Sequence, residues 1–316
     1  MKIAIKALLL SAAFLGAAFS SHSLEVDLMV GAGLRAGTTW ELVFEGEKMI
    51  SALEWNDRAV PSVGFDVRAS AGGFFLGVEA AFAIPMRSGE MENRDFLLPG
   101  SAATSHFSRH NAYLDKDFSA SAEAGYKFRL GNFFAAPVMG FGYRNRKWVA
   151  TGGYLQYPSG SLPWTGDEPK LPLSGPIISY EQAIRYPFVG LEAGLGHAFS
   201  GGGEMFVALA ATVYPYVLVD ANDAHFMRNM RFYDTLRGGL GISLGLSAGF
   251  FPERANGPGF VARASREAVS GTRGATSSAS TGISGGNLVV SKGHGAETEI
   301  DQWNFFLGMS VPLYAR

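Results

Sequence analysis

Apolar and polar side chains alternate along most of this chain. From Leu236 to Phe250 the even positions are Leu, Gly, Leu, Ile, Leu, Leu, Ala and Phe. The odd positions between them are Arg237, Gly239, Gly241, Ser243, Gly245, Ser247 and Gly249. From Trp303 to Leu313 the odd positions are Trp, Phe, Leu, Met, Val and Leu. The same period of two runs through 26–34, 74–84, 118–130, 187–199 and 205–219. A helix would space its apolar residues by three and four, so these segments predict strands with one apolar face. The opposite faces carry small residues with Asp66, Glu79, Glu123, Lys127, Arg129 and Glu192. The apolar faces run for about 9–11 residues, the length of a tilted strand crossing a bilayer. Strands of a soluble sandwich are nearer 5–6 residues.

The connections sort into two kinds. Residues 71–73, 131–132 and 200–203 read as tight turns, and 251–259 as a somewhat longer one rich in Pro and Gly. Between them lie longer polar stretches at 44–49, 87–112, 156–177, 221–228 and 272–296. A bacterial barrel keeps short turns on the periplasmic side and long loops outside. Counting strands between connections gives about ten. The expected fold is all-β: an antiparallel transmembrane β-barrel of about ten strands, spanning 24–316, with extracellular loops at about 87–112, 156–177, 221–228 and 272–296. The segment 271–295, rich in Gly, Ser and Thr, is expected to be a mobile outer loop.

Composition agrees with export to the outer membrane. Lys2 and Lys6 precede an apolar run from Ala7 to Ala18, and small residues follow at 20–23, so 1–23 reads as a signal peptide. The chain has 316 residues, 41 glycines, no cysteine and a net charge of −2, which gives no reason to invoke nucleic acid. Tyr126, Tyr143, Trp148, Tyr186, Trp303 and Tyr314 are candidates for the aromatic girdles at the two membrane surfaces. The six histidines show no zinc-ligand spacing, and no metal is assigned.

Chemistry enters at Tyr214–His225, a strand that ends in Asp223-Ala224-His225. In an extended chain these two side chains point the same way. The carboxylate can hold the imidazole in one tautomer and leave the other ring nitrogen to take a proton from water. Asp-x-His is a common chance pairing, so its weight comes from its context. In the strand scheme its loop faces the loop holding Met91 to Phe96 and Ser108-Arg109-His110.

There the chain resembles the omptins, outer-membrane endopeptidases with a ten-stranded barrel. The landmarks are Thr39-Trp40-Glu41, Ser51 to Trp55, Met91 to Phe96, Ser108-Arg109-His110, Gly152-Gly153-Tyr154, Tyr186 to Leu191, Asp223-Ala224-His225 and Asn304 to Gly308. The resemblance implies that Asp223 and His225 face a second pair on the opposite wall. Asp95 matches the second carboxylate of that pair, and Asn93 stands where the first would be. An amide is no base, but it can still hydrogen-bond a water. Ser108 and His110 are read as structural.

The resemblance also implies cleavage between basic residues, the first of them held by acids. Glu41 matches one such acid. The other aligns with Ala221, and Asp220 beside it could substitute after a small shift. Asp117 matches a further acid, and His106 replaces another. Arg144, Lys147 and Arg185, with Arg146, have the character of the family's lipopolysaccharide site, a lipid needed for its activity; a solvated basic rim is the alternative. The implied partners are peptides or proteins with basic residues and outer-membrane lipid, acting on a monomer. Two readings of other classes remain: a catalytically silent barrel that binds host proteins, and a passive pore.

Overall fold

The computed structural model describes residues 24–160, 162–200, 202–252, 257–280 and 289–315. The expected signal peptide lies outside the described residues. Among them are thirteen strand segments: β1 (Glu25–Glu45), β2 (Lys48–Ala71), β3 (Phe74–Ala83), β4 (Met86–Asp95), β5 (His106–Tyr126), β6 (Phe128–Leu130), β7 (Phe133–Gln156), β8 (Leu171–Ala198), β9 (Glu204–Tyr214), β10 (Val217–His225), β11 (Met230–Phe251), β12 (Gly259–Ser280) and β13 (Val289–Ala315). Short breaks divide β3 from β4, β5 from β6 and β9 from β10. Each such pair forms one strand of the wall, so the wall has ten strands. All pairings are antiparallel between neighbours, and β13 returns to β1 from Glu25↔Ala315 to Glu45↔His294. The sheet is therefore a closed barrel with no free edge.

An outward apolar belt surrounds it, with Val30, Leu34, Phe65, Phe141, Leu191, Leu244 and Leu307 about half exposed or more than a third exposed. This is the face the alternating pattern predicts for lipid. The turns at one end are tight: Gly72 and Gly73 adopt φ of 57° and 92°, a region where side chains other than glycine are strained.

At the other end the strands outrun the belt. β1 has 21 residues, β7 24 and β8 28, more than twice what a bilayer needs. The stretches expected as long loops are therefore largely strands. The hairpin at 44–49 pairs as far as Glu45↔Lys48, the one at 87–112 as far as Asp95↔His106, and β10 with β11 as far as His225↔Met230. The expected mobile loop at 271–295 pairs over much of its length as β12 and β13, and 281–288 lie outside the described residues. The cause is environmental. Beyond the belt both faces of a strand meet water or a polar lumen, so the alternation that marks a strand fades while backbone pairing continues.

The lumen is layered. Trp55, Trp148 and Tyr180 are fully buried and stack on one another, with ring centroids 5.8, 6.0 and 6.2 Å apart. They come from β2, β7 and β8 and pack together inside the barrel. Gln182 donates to the Tyr180 hydroxyl (2.8 Å) and to Thr298 (2.7 Å), tying the stack to the far wall. Trp148 donates to Asp57 at 3.1 Å, below the stack. There Arg35 bonds Asp57 and Asp117, Arg146 bonds Asp117 and Gln302, and Arg144 clasps Glu267 through two hydrogen bonds of 2.9 Å. Deeper still, a cavity of about 560 Å³ is lined by Asp66, Arg68, Glu192 and Arg263 among others.

Trp148 and Tyr186 are thus interior residues and not girdle residues. They share the inward parity of Arg144 on β7 and Ile184 on β8, whereas Trp303 faces outward.

Arg144 and Glu267 neutralise each other away from water. Removing one partner leaves a buried charge unmatched, at a cost of about 3–5 kcal/mol. Arg144→Ala is expected to lower the unfolding free energy of the barrel by that amount in urea titrations in detergent. Arg266→Ala, which breaks an exposed pair with Asp301, is expected to leave the curve unchanged.

Candidate active site

Above the aromatic stack, beyond the apolar belt, the barrel opens into a cleft of about 230 Å³. Its walls come from β1, β2, β4, β10, β11, β12 and β13. On β10 the parity is set by Val217, Val219, Ala221 and Asp223, all buried and facing the lumen. Asp223 and His225 keep that phase, and Asp223 Oδ2 lies 2.5 Å from His225 Nε2. With Nε2–H donated to the carboxylate, Nδ1 is the ring nitrogen left with a lone pair. Phe232 packs edge-on against the ring at 5.2 Å between centroids, which fixes its plane.

The opposing side of the cleft holds Asn93 and Asp95 on β4. One hydroxyl joins them: Ser51 on β2 donates to Asp95 Oδ1 at 2.7 Å and sits 3.0 Å from Asn93 Oδ1. Ser51 is the cross-strand partner of Asp95, and Leu53 that of Asn93. The backbone of Asp95 is anchored as well, since its carbonyl accepts from both the amide and the hydroxyl of Ser105. Asn93, Asp95, Asp223 and His225 all line the one cleft.

Ser108 and His110 brace this wall from behind. His110 is 2% exposed, its Nδ1 lies 2.5 Å from the Gly152 carbonyl and its Nε2 lies 2.9 Å from Ser108 Oγ. Nδ1–H therefore donates to the carbonyl and Nε2 accepts from the hydroxyl. Burial holds this imidazole below its ordinary pKa, so it stays neutral and acts as a strut.

Three expectations need correction. Asp220 is not in the cleft: it has the opposite parity to Ala221, lies on the outer face and pairs with Arg185 at 2.7 Å. A one-residue shift in a strand moves a side chain to the other face, so adjacency could not make it substitute. Asp117 lies beneath the aromatic stack, locked between Arg35 and Arg146. Arg144 is inside the barrel with Glu267, out of reach of lipid headgroups. Lys147 and Arg185 do face outward, paired with Asp115 and Asp220.

Glu41 lines the cleft, is 3% exposed, and its Oε2 has no hydrogen-bond partner. The sequence reading missed Asp234 on β11. It is 4% exposed, lines the same cleft and accepts a hydrogen bond from Thr276. The sequence pattern points the other way: the even positions of this segment face outward from Leu240 on, and the interruption at Gly238 and Gly239 turns Leu236 and Asp234 inward. Burial, and then the facing Asp223 and Asp234, push Glu41 well above the ordinary carboxylate range. Burial, reinforced by Asp223 and opposed by the Thr276 hydrogen bond, pushes Asp234 up to about 6.

Comparison with known proteins gives three findings. The model of the omptin family matches residues 22–300. The plasminogen activator of Yersinia pestis is 23% identical over 225 residues, which cover 69% of this chain and 69% of that protein. The crystal structure of the outer membrane protease OmpT from Escherichia coli superposes with a TM-score of 0.78 at 17% identity, covering 92% of this chain and 97% of that one.

The raised Asp234 has a consequence for stability. A carboxyl whose folded pKa lies above its unfolded value favours the folded state at low pH and loses that contribution as pH rises through the folded value. The Asp234 contribution is therefore present below about 4 and gone above about 6. Asp234→Asn is expected to unfold like the wild type at pH 4 and to be more stable at pH 8 by roughly 3 kcal/mol, read from paired urea titrations at the two pH values.

Proposed function

The chain belongs to the omptin family, and on that premise we propose that it is an outer-membrane endopeptidase that cuts beside basic residues with a water activated by His225. The observation that carries this reading is the Asp223–His225 pair, joined at 2.5 Å and facing Asn93 and Asp95 across one cleft. The similarity to a plasminogen activator and the fold shared with an outer membrane protease support it. The cleft end, with its extended strands, faces the cell exterior in this reading.

Asp223 holds the Nε2–H of His225, so Nδ1 takes a proton from the attacking water. The water oxygen adds to the scissile carbonyl, and the protonated imidazole, stabilised by Asp223, returns the proton to the leaving amine. Asp95, held by Ser51, accepts the second hydrogen of the water and aims it. Asn93 turns its amide oxygen toward Ser51, which leaves its N–H₂ to donate toward the developing oxyanion. No covalent intermediate forms. Lys147 and Arg185 are the outward cations through which lipopolysaccharide phosphates would act on the monomer.

Asn93 favours a second reading. A neutral amide holds the water less firmly than a carboxylate, and a barrel silenced in this way would act as a binding surface for host proteins. Turnover of a quenched fluorescent peptide with a central Arg-Arg, with and without lipopolysaccharide, separates the two. Wild-type cleavage that falls by about 10²–10⁴ in His225→Ala supports the enzyme. A silent wild type with an active Asn93→Asp supports the second reading, and silence in both removes dibasic cleavage.

A further inference from the structure

Buried acids in this lumen are otherwise matched by arginines. Asp57 has Arg35, Asp117 has Arg35 and Arg146, Glu267 has Arg144, and Asp66 has Arg263. The cleft breaks that rule. Among the described residues neither Glu41 nor Asp234 enters an ion pair, and Asp223 pairs only with His225. Glu41 Oε2 and Asp223 Oδ1 are buried without any hydrogen-bond partner. Buried carboxylates left in this state are costly unless a cation reaches them. Arg228 lines the same cleft, but it is exposed and, among the described residues, forms no ion pair with these acids, so they stay open to a cation from outside.

The surroundings define it. Val43, Ile50, Leu53 and Ala296 line the same cleft and give it apolar walls beside the acids. A hard metal ion calls for a shell of oxygen ligands and gains nothing from such walls. An aliphatic stem with a cationic head uses both. Glu41 from β1 and Asp234 from β11 approach that head from different strands. Donors fanned in one plane, as in a guanidinium, can satisfy two such acids at once; an ammonium is a point charge.

Asp234 also answers how the chain dispenses with an acid at 221. Ala221 on β10 and Asp234 on β11 are direct cross-strand partners, both buried and both facing the lumen. Such partners have Cβ atoms about 5 Å apart. The carboxylate of Asp234 therefore extends over the small methyl of Ala221, and Thr276 from β12 fixes one of its oxygens.

We propose that Asp234 is a specificity-determining residue: with Glu41 it forms a two-acid pocket for the guanidinium of an arginine side chain, and it takes over from the neighbouring strand the place of an acid at 221. The inference rests on the endopeptidase reading for the identity of the substrate, but not for the existence of the pocket. Two readouts keep these apart. The first is binding of n-butylguanidine to the refolded full-length barrel at pH 8 by calorimetry. The second is the ratio of kcat/KM for peptides carrying arginine or its neutral isostere citrulline before the cut.

Asp234→Asn is expected to weaken butylguanidine binding by about 10–100-fold and to lower the arginine-to-citrulline ratio by a similar factor. Adding Ala221→Asp to that variant is expected to recover most of both, which a variant that merely misfolds would not do. Binding that depends on Asp234 in a wild type without turnover would uphold the pocket and overturn the endopeptidase reading. Cleavage by the wild type with the arginine preference unchanged in Asp234→Asn would overturn the pocket, and so would a wild type that does not bind butylguanidine.

Discussion

Backbone pairing between β1 and β13 is the interaction on which everything else here depends. In hydrocarbon an unpaired N–H or C=O group has no water to turn to, so a sheet in a bilayer must close on itself. The pairing of Glu25–Glu45 with β13 achieves that closure and continues it past the membrane into the polar end. Closure also fixes parity. Once the ring is sealed, each residue of each strand faces either lipid or lumen, and a side chain can change face only at a bulge. The site follows from that constraint. Ala221, Asp223 and His225 share the inward phase of β10, and Asp220 does not.

The same closure creates an interior too narrow to stay empty, and the chain fills it in two electrostatic styles. Below the Trp55–Trp148–Tyr180 stack, arginines and acids interlock and no charge is left over within the Arg35–Asp57–Asp117–Arg146 group or the Arg144–Glu267 pair. Above the stack, Glu41, Asp223 and Asp234 line one cleft, where His225 pairs with Asp223 and the exposed Arg228 forms no ion pair among the described residues. The first arrangement rigidifies the scaffold. The second stores unfavourable repulsion where a cation is to bind. The stack separates the two, so the arginines below cannot relieve the acids above. A stability gain on neutralising Asp234 and a loss of cation binding are two faces of one arrangement, the usual opposition between stability and an active site.

The barrel was legible because period two survives wherever one face meets lipid. It faded where both faces are polar, which is why 87–112 and 221–228 read as loops and are mostly strand. The Asp223–His225 pair was legible because both residues lie on one strand, and parity along a strand is local. Asp117 and Arg144 misled because charge alone does not say how deep in a lumen a residue lies; both sit under the stack, matched to opposite charges. Asp234 was missed for a different reason. Its importance lies in being opposite Ala221, and register between strands depends on turn geometry and bulges that no single segment displays. Asp220 was chosen for being next in sequence, whereas the compensating acid is next in space.

Asn93 is best understood with Asp234. The family pattern would put carboxylates at 93, 95, 221 and 223. This chain has neutral residues at 93 and 221 and an acid at 234. Adding a buried carboxylate beside Glu41 raises the cost of ionising it, because like charges in a poorly solvated cleft repel strongly. Had position 93 also been acidic, the cleft would hold one more negative charge with His225 still its only basic partner in an ion pair. An amide at 93 removes that charge at the position where a hydrogen-bond donor can serve, and leaves Asp95 with Ser51 as its polar partner. The departure at 221 conserves charge by moving an acid to the neighbouring strand, and the departure at 93 gives up one carboxylate where a dipole can do part of its work.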